Sequence, residues 1–382
     1  MKLWIDEQPY SPTDFDSIRR LSLEKSWLVP VADFLEFWFS DQAEFKTQTS
    51  GSTSSPKSIH ISRARIVASA KATLDYFQFS SESDGMILCL SARHVGGFMV
   101  LARGLLADID VWILEPSSKP IPEDSPMLSY KKWFISLVPM QLVVFQDSER
   151  LQKASELWKG ILLGGSSLSS LNISQTRFLR CPVYQSYGMT ETVSHVAIRQ
   201  ILPDLEPKLP YTLLPGVEID TDENERLTIK GAVTDFEWLQ TNDRVKIVSP
   251  NTFFYLGRAD DMIISGAIKM DPILLKKMYL RVFDWPDESV QVLGIPDETL
   301  GQKVVLILGT QFGSQLPDLK YLEAKVLELS SAIDSIFLPK AIYSVPDFPL
   351  TATFKIDKPA LAQQVALLQP IWQKHPSVAQ KR

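Results

Sequence analysis

The chain has 382 residues, of which 45% are hydrophobic and 22% charged, with a formal net charge of -6 at pH 7 and a pI near 5.4. This length exceeds one ordinary domain and predicts two domains, or one large and one small. The acidic balance argues against nucleic acid or an anionic membrane surface as a partner, but it allows a local basic pocket for a phosphorylated ligand.

The cysteines, the N-terminus and the longest apolar stretch all predict a cytoplasmic protein. Cys89 and Cys181 lie far apart in apolar surroundings, which indicates buried, reduced thiols. MKLWIDEQPYS lacks the basic start and apolar core of a signal peptide. The stretch GGFMVLARGLLADIDVWIL contains Arg103, Asp108 and Asp110, which argues against a membrane span. Four scattered histidines without a cysteine cluster give no support to a structural zinc site.

The first half of the chain predicts strands that alternate with helices. Residues 1–45 predict a helical, aromatic-rich lead-in, and the polar loop TSGSTSSPK (49–57) precedes a predicted helix, SRARIVASAKATLDYF. Next come the predicted strand MILCLS and helix GGFMVLARGLLA, the strand DVWILE, the strand LVVFQ and helix SERLQKASELWKG, the strand ILLGG and helix SSLSSLNISQTRFL, and the strand PVYQSYG. This alternation predicts an α/β fold with a mostly parallel sheet covered by helices.

The pattern changes after about residue 205. LPGVEIDTDENERLTIKGAV predicts hairpins and NTFFYLG another strand, which together indicate an antiparallel subregion. GRADDMIISG then forms a polar junction before shorter units: the strands SVQVLGIPD and QKVVLILGT, the helix LPDLKYLEAKVLELSSA and the strand KAIYSV. We therefore expect a large N-terminal domain over residues 1–259 and a small α+β domain over residues 260–382.

Four separated segments carry residues suited to phosphate chemistry. In TSGSTSSPK, glycine and small hydroxyl residues let backbone N–H groups approach an anion, and Lys57 adds a positive charge. YGMTE follows a predicted strand and could stack on a flat ring and reach a metal–phosphate complex. Asp243 in TNDR, with Arg258 nearby in the chain, suits a ribose, and Lys355 lies in LTATFKIDK. Taken singly, each also fits a flexible loop, an ordinary turn, a surface salt bridge or a solvated lysine.

In this order, TSGSTxxPK, HVGG, YGMTE, TxD, GRxDxxIxSG and KIDK resemble the motifs of the acyl-adenylate-forming (AMP-binding) superfamily across residues 49–358. Its members include acyl-CoA synthetases, luciferases and peptide-synthetase adenylation domains. The resemblance implies that a carboxylic acid and Mg-ATP give an acyl-AMP and pyrophosphate, and that a thiol, usually of coenzyme A, then displaces AMP. Within the superfamily, the short length and SYGMTETVSHVAIR are most similar to o-succinylbenzoate–CoA ligases of menaquinone biosynthesis. The implied partners are small molecules, and a homodimer is left open.

The resemblance implies a role for each matching residue. The phosphate loop corresponds to Ser50, Gly51, Ser52, Thr53 and Lys57, and the strip along adenine and the acyl group to Gly164, Gly165 and Ser166. The segment beside adenine and the α-phosphate corresponds to Ser186, Tyr187, Gly188, Met189 and Thr190, with Glu191 as the Mg²⁺ carboxylate. Asp243 and Arg258 match the ribose-binding pair, Asp260 the hinge, and Lys355 the adenylation lysine on a mobile small domain.

The acid pocket is assigned to His94, Arg103, Ser194 and His195. His94 lies in the family's HxGG motif, but a satisfied turn histidine is the alternative. Arg103 is either a surface residue with an extended stem or the cation for the second carboxylate of o-succinylbenzoate. Neutral or long aliphatic acids would give Arg103 no role.

The chain departs from the family pattern at Ser54, Phe354 and Ala267, where glycine is usual. These departures bear on the reaction rate and on CoA docking rather than on the fold. Two other functions stay open: adenylation of another aryl or amino acid, with transfer to a carrier protein, or nucleotide binding without turnover. The dispersed charges Lys57, Glu191, Asp243, Arg258 and Lys355 argue against the last of these.

Overall fold

The structure is a computed structural model that describes residues 1–48, 58–165, 176–202, 209–310, 316–351 and 356–374. In these ranges the chain forms two compact units, which meet in sequence between Leu256 and Gly257. The expected mixed α/β architecture is confirmed, whereas the domain division at Asp260 stays a proposal. No helix in the described ranges is long and apolar enough to cross a membrane.

The sequence predicts a helical lead-in over residues 1–45, but only part of this segment is helical. It begins with β1 (Leu3–Ile5) and β2 (Gln8–Tyr10), which pair as an antiparallel hairpin. Leu3 and Ile5 alternate with Trp4 and are buried, which is the period of a strand in contact with a core. The helices α1 (Phe15–Glu24) and α2 (Val29–Phe39) follow.

The other strands of the first unit lie in two sheets. They are β3 (Glu44–Gln48), β4 (Ser58–Ser62), β5 (Asp84–Leu88), β6 (Asp110–Ile113), β7 (Lys132–Leu137), β8 (Gly160–Leu163), β9 (Val183–Met189), β10 (Ser194–Leu202), β11 (Tyr211–Leu213), β12 (Val217–Thr221), β13 (Arg226–Gly231), β14 (Leu239–Ser249) and β15 (Thr252–Arg258). The last of these runs across the sequence boundary into the second unit. β3 and β4 pair with each other alone among the described strands.

The large sheet has the order β12-β13-β14-β15-β11-β10-β9-β8-β7-β5-β6-β1-β2. The run from β9 through β8, β7, β5 and β6 to β1 is parallel. From β9 towards β11 and β15 the pairing becomes antiparallel. Both the parallel sheet and the antiparallel subregion expected from the sequence are present. The carboxyl end of β9 lies where the two patterns meet.

Helices cover the parallel strands, and one of them replaces a predicted strand. These helices are α3 (Arg63–Phe77), α4 (Val95–Ala107), α5 (Val143–Gln146) and α6 (Glu149–Ala154). LVVFQ, predicted as a strand, forms α5 directly after a 3-10 helix over Pro139–Leu142. The Gln141 side-chain amide accepts from Val138 N and donates to Ser117 O. These hydrogen bonds connect the helical segment to the chain around Ser117. The strand beside β8 is instead formed by β7.

The second unit contains its own sheet and core. Its elements are β16 (Ile263–Ser265), β17 (Ile268–Met270), α7 (Pro272–Leu280), β18 (Val290–Asp297), β19 (Gly301–Gly309), α8 (Leu319–Ala332), β20 (Ala341–Val345), α9 (Lys358–Ala366) and β21 (Trp372–Gln373). The sheet runs β17-β16-β19-β20-β21, and β18 also pairs with β19. The predicted α+β character of this region is confirmed.

Candidate active site

Part of the predicted site falls outside the described residues. These positions are Ser50, Gly51, Ser52, Thr53, Ser54 and Lys57 in the phosphate loop, Ser166 after β8, and Phe354 and Lys355 near the C-terminus. The strands on either side of the phosphate loop are described, and they pair up to the register Gln48↔Ser58. The two ends of the loop are therefore held beside each other.

Gly164, Gly165 and Ser186 come together at the carboxyl ends of β8 and β9. Ser186 Oγ donates to Leu163 O at 3.0 Å, and a Cβ atom on Gly164 would lie 2.9 Å from the same hydroxyl oxygen. Gly165 has a φ of 85°, a conformation that other residues rarely adopt. Gly164 thus lies directly against the Ser186 side chain at the end of β8, the edge of a parallel sheet where ligands commonly bind.

Tyr187 and Asp243 form a buried pair. The Tyr187 hydroxyl donates to Asp243 Oδ2 at 2.6 Å, and both residues are buried. The Tyr187 ring packs among aromatic rings, with its centroid 5.2 Å from that of Phe253 and 5.8 Å from that of Tyr211. Burial, and then the charge of Asp243, raise the pKa of Tyr187, so its hydroxyl stays a donor. Tyr187 therefore orients the carboxylate that the sequence assigns to ribose.

A tight turn carries Thr190 and Glu191 out of β9. A 3-10 helix spans Thr190–Thr192, and Thr192 Oγ1 accepts from Met189 N at 3.0 Å. Thr190 is buried, whereas Glu191 is exposed. The chain then passes through positive φ angles of 51° at Val193 and 93° at Ser194, which are unfavourable for such residues.

Gly188 is required by this turn. A Cβ atom at residue 188 would lie 2.1 Å from Ser194 O, because β10 returns directly against β9. A side chain cannot occupy that space without moving the backbone.

Arg65, at the start of α3, holds the same turn from the other side. Its Nη2 donates to the backbone oxygen of Glu191, and its Nε donates to Val233 O at 2.6 Å. Asp235 Oδ2 lies 3.8 Å from Nε. These contacts fix the main chain of Glu191 and leave its carboxylate facing solvent.

Arg103, Ser194 and His195 come together in the interior of the first unit. Arg103 Nη2 donates to Ser194 Oγ at 3.2 Å, and Ser194 Oγ lies 3.2 Å from His195 Nδ1. Arg103 is only 2% exposed, and its Nε has no hydrogen-bond acceptor among the described residues. Within the same residues, no carboxylate forms an ion pair with it. The surface alternative for Arg103 is therefore wrong.

Burial changes the proton affinities of this cluster. It lowers the pKa of Arg103 to about 9, so the guanidinium remains charged at neutral pH. Burial, and then the positive charge of Arg103, lower the pKa of His195 well below its ordinary value. His195 is consequently neutral beside a charged arginine.

His94 lies away from this cluster along α4. It occupies the N-cap position of the helix, and its backbone oxygen accepts from Gly97 N at 2.9 Å. Nine residues of helix separate it from Arg103, which corresponds to an axial rise of about 13 Å. The four residues assigned to the acid pocket thus divide into a hydrogen-bonded trio, of which Arg103 and His195 are buried, and one histidine at the N-cap position of α4.

In the second unit, charged residues pair near the predicted hinge. Arg258 donates to both carboxylate oxygens of Asp260, with Nε–Oδ1 at 2.8 Å and Nη2–Oδ2 at 2.6 Å. Lys358 Nζ lies 2.5 Å from Asp261 Oδ2, which joins the first turn of α9 to the residue after Asp260. Asp357 caps α9, and its backbone N–H donates to Pro349 O at 2.8 Å.

Sequence reasoning missed the residues that support the site from α3. Besides Arg65 these are Ser69 and Thr73, which are buried and contact Val193 O and His195 Nε2 respectively. Ser69 and Thr73 are one helical turn apart and lie beside the buried Ile66 and Ala70, so polar residues on a buried helix face were the available signal. Arg65 carries no comparable signal.

Comparisons with known proteins give the class of the protein. A family model described as AMP-binding enzyme matches residues 45–233. A solved acyl-CoA synthetase (AMP-forming)/AMP-acid ligase II-like protein from Dyadobacter fermentans is 34% identical, with a TM-score of 0.57, and the match covers 89% of this chain and 94% of that one. The chain therefore belongs to the AMP-binding enzyme family, whose members include acid–CoA ligases.

Within that family, the chain is similar to 2-succinylbenzoate–CoA ligases. The enzyme of that name from Staphylococcus epidermidis is 26% identical over 334 residues, which is 81% of this chain and 67% of the relative. A solved o-succinylbenzoate coenzyme A synthetase from Bacillus subtilis, in complex with ATP and magnesium ion, is 20% identical and has a TM-score of 0.65. The match covers 84% of this chain and 70% of the Bacillus subtilis chain. The latter likeness shows the shared fold.

Proposed function

We propose that the protein is an o-succinylbenzoate–CoA ligase. It joins the acid to AMP at the expense of ATP, releases pyrophosphate, and then transfers the acyl group to the thiol of coenzyme A. The single observation that carries the choice of acid is the buried, charged Arg103, which no described carboxylate neutralises.

Arg103 favours an acid with a second carboxylate for an electrostatic reason. An uncompensated charge in a protein interior costs several kcal/mol relative to water. Arg103 has one hydrogen bond to Ser194 and a buried Nε–H without a described acceptor. A guanidinium has five N–H donors in a planar arrangement that matches a carboxylate. An acid with a second carboxylate would supply the missing charge and the missing acceptor, whereas a monocarboxylic acid would leave both unmet.

Two parts of the chain would bind ATP. Asp243, oriented by Tyr187, would accept hydrogen bonds from the ribose hydroxyls, and the loop with Lys57 would hold the distal phosphates. Both assignments rest on the motif order and, for Asp243, on its buried and oriented carboxylate.

Magnesium fits the residues present at Glu191. No group of three or more ligating His, Cys, Asp or Glu side chains occurs in the described ranges, but Mg²⁺ bound with a nucleotide needs only one or two carboxylates. The exposed carboxylate of Glu191, on a main chain fixed by Arg65, meets that need. The ion would neutralise phosphate charge when bound.

The protein's own side chains then have separate tasks. The first half-reaction concentrates negative charge at the α-phosphate, so positioned cations matter more than a strong base. Lys355 would contact the reacting carboxylate and α-phosphate, while Arg103 holds the other end of the acid. The second half-reaction would need a rotation of the C-terminal domain about Asp260, which removes Lys355 and admits the thiol.

The test is ATP–pyrophosphate exchange with o-succinylbenzoate and two analogues, each of which lacks one of its carboxylates, followed by a CoA assay. We expect exchange with the diacid, and a much higher KM for the analogue that keeps only the reacting carboxylate. Exchange with other aryl or amino acids but not the diacid would overturn the substrate. No exchange with any acid would indicate a protein that binds nucleotides without turnover.

A further inference from the structure

Five residues form a continuous hydrogen-bonded chain that begins at Arg103, and we call it the Arg103 relay. Its members are Arg103, Ser194, His195, Thr73 and Ser69. Thr73 Oγ1 lies 3.1 Å from His195 Nε2 and 3.1 Å from Ser69 O. Ser69 Oγ in turn donates to Val193 O at 2.6 Å. One turn of α3 thus contacts both the imidazole and the backbone that carries Ser194.

The direction of each hydrogen bond in the relay follows from the end opposite Arg103, which is the backbone oxygen of Ser69. Ser69 O is a carbonyl and can only accept, so the Thr73 hydroxyl donates its one proton there. Towards His195 the Thr73 oxygen must then accept, which places a proton on Nε2. A neutral imidazole has one N–H, so Nδ1 accepts from the Ser194 hydroxyl. The Ser194 oxygen is left to accept from Arg103.

All the lone pairs of the relay therefore point towards the guanidinium. Ser194 presents its oxygen to Arg103, and His195 presents its nitrogen lone pair to Ser194. Aligned hydrogen bonds in a low-dielectric interior polarise and strengthen one another. The relay stabilises the cation without a carboxylate, so the charge is not cancelled before the substrate arrives.

We propose that Thr73 and Ser69 are positioning residues for acid binding, because they fix His195 as its Nε2–H tautomer. The Ser194 hydroxyl then donates its proton to His195 Nδ1 and keeps its lone pairs directed at Arg103. This inference rests on the proposed function, because it gives Arg103 the task of binding the second carboxylate. Thr73 acts on the imidazole, and Ser69 acts on the strained turn at Val193 and Ser194.

The first measurement is the tautomer of His195 in the free protein. The chain has four histidines, so ¹⁵N-histidine labelling gives few signals, and His195→Gln identifies the one from residue 195. We expect a neutral Nε2–H imidazole that stays neutral as the pH is lowered through the usual histidine range. In Thr73→Val, Nε2–H loses its acceptor, and we expect the Nδ1–H tautomer, which can donate to Ser194. An imidazolium at neutral pH, or Nδ1–H in the wild type, would overturn the relay.

The second measurement separates positioning from general stability. We expect Thr73→Val to raise KM for o-succinylbenzoate about tenfold, with kcat and KM for ATP within about twofold, because one aligned hydrogen bond is lost from the relay. Thr73→Ser keeps the hydroxyl and should restore the wild-type KM. Ser155→Ala removes another buried hydroxyl, which donates to Gln152 O at 2.6 Å, and serves as the matched control with unchanged KM.

The outcomes distinguish the two proposals. If the wild type adenylates the diacid but Thr73→Val leaves KM unchanged, the positioning role is overturned and the function stands. If the wild type adenylates only other acids, the proposed function falls, and the tautomer of His195 still decides whether the relay exists. If KM rises in Thr73→Val and Thr73→Ser does not restore it, the Thr73 hydroxyl does not have the proposed positioning role.

Discussion

Arg103 and Arg258 show two opposite uses of the same side chain. Arg103 is 2% exposed and has a serine as its described partner, whereas Arg258 is half-buried and holds Asp260 through two hydrogen bonds. A paired, solvent-accessible ion contributes little to stability, and a buried unpaired one is a cost. The difference supports the proposal that Arg103 binds a ligand, since Arg258 already has a carboxylate as its partner.

The largest expected effect belongs to Lys355, the lysine that we propose acts at the α-phosphate, and it sharpens the comparison with the buried cation Arg103. Lys355→Ala should lower the rate of adenylation by a factor on the order of 100 or more, because a positioned charge at the α-phosphate is lost. Pyrophosphate exchange measures this step. Thioester formation from supplied acyl-AMP should fall much less, and equal losses in both half-reactions would contradict the assigned role.

Arg103→Met should separate binding from stability. We expect KM for the diacid to rise by about 100-fold, since a charge-assisted hydrogen-bonding group contributes roughly 1.5–3 kcal/mol. The thermal midpoint should not fall, because an unpaired buried charge is replaced by an apolar side chain of similar length. Arg226→Met removes a half-buried arginine that pairs with Asp222, and as the matched control it should leave KM for the acid unchanged. A large loss of stability in Arg103→Met would show that the charge is compensated within the protein.

Asp243→Asn tests the buried pair with Tyr187. The amide oxygen can still accept from the Tyr187 hydroxyl, but the charged acceptor for ribose is lost, so we expect KM for ATP to rise about tenfold. Steady-state kinetics at saturating acid measure it. Tyr187→Phe, which keeps the carboxylate and removes its donor, should give a smaller rise in the same constant. If KM for the acid changes instead, Asp243 serves the acid pocket.

The smallest effect is expected at the ion pair between Lys358 and Asp261. The two side chains are 40% and 28% exposed, so solvent screens their attraction. Lys358→Met should lower the free energy of unfolding by less than about 1 kcal/mol, as measured by urea denaturation. A much larger loss would show that solvent does not screen the attraction between Lys358 and Asp261.

The sequence predicted the elements whose patterns are long and regular. α3, α4 and α8 follow amphipathic or apolar stretches, and the strands β18 and β19 are clear apolar runs. The prediction of LVVFQ as a strand was wrong, because a run of five residues has the same apolar pattern in a strand and in a buried helical turn. The hairpin over Leu3–Tyr10 was not predicted, because the aromatic-rich lead-in was interpreted as helical.

For the site, motif order predicts a set of residues but not which of them are in contact. Tyr187 and Asp243 are 56 residues apart, and Arg103 and Ser194 are 91 apart, so their contacts depend on the sheet order. His94 and Arg103 share one helix yet lie far apart along it. Thr73 and Ser69 belong to no motif, and their role is visible only through the carbonyl oxygens that direct their hydroxyl protons.

The close approach of Gly188 to Ser194 has a consequence for how such an enzyme can change its substrate. Ser194 O lies about where a Cβ atom on residue 188 would be, so the segments that we propose for the nucleotide and for the acid are in direct backbone contact. Drift or redesign at residues 188–194 would disturb both ligands together. The face of α3 that carries Ser69 and Thr73 lies outside the YGMTE segment, so new acid specificities are more accessible there.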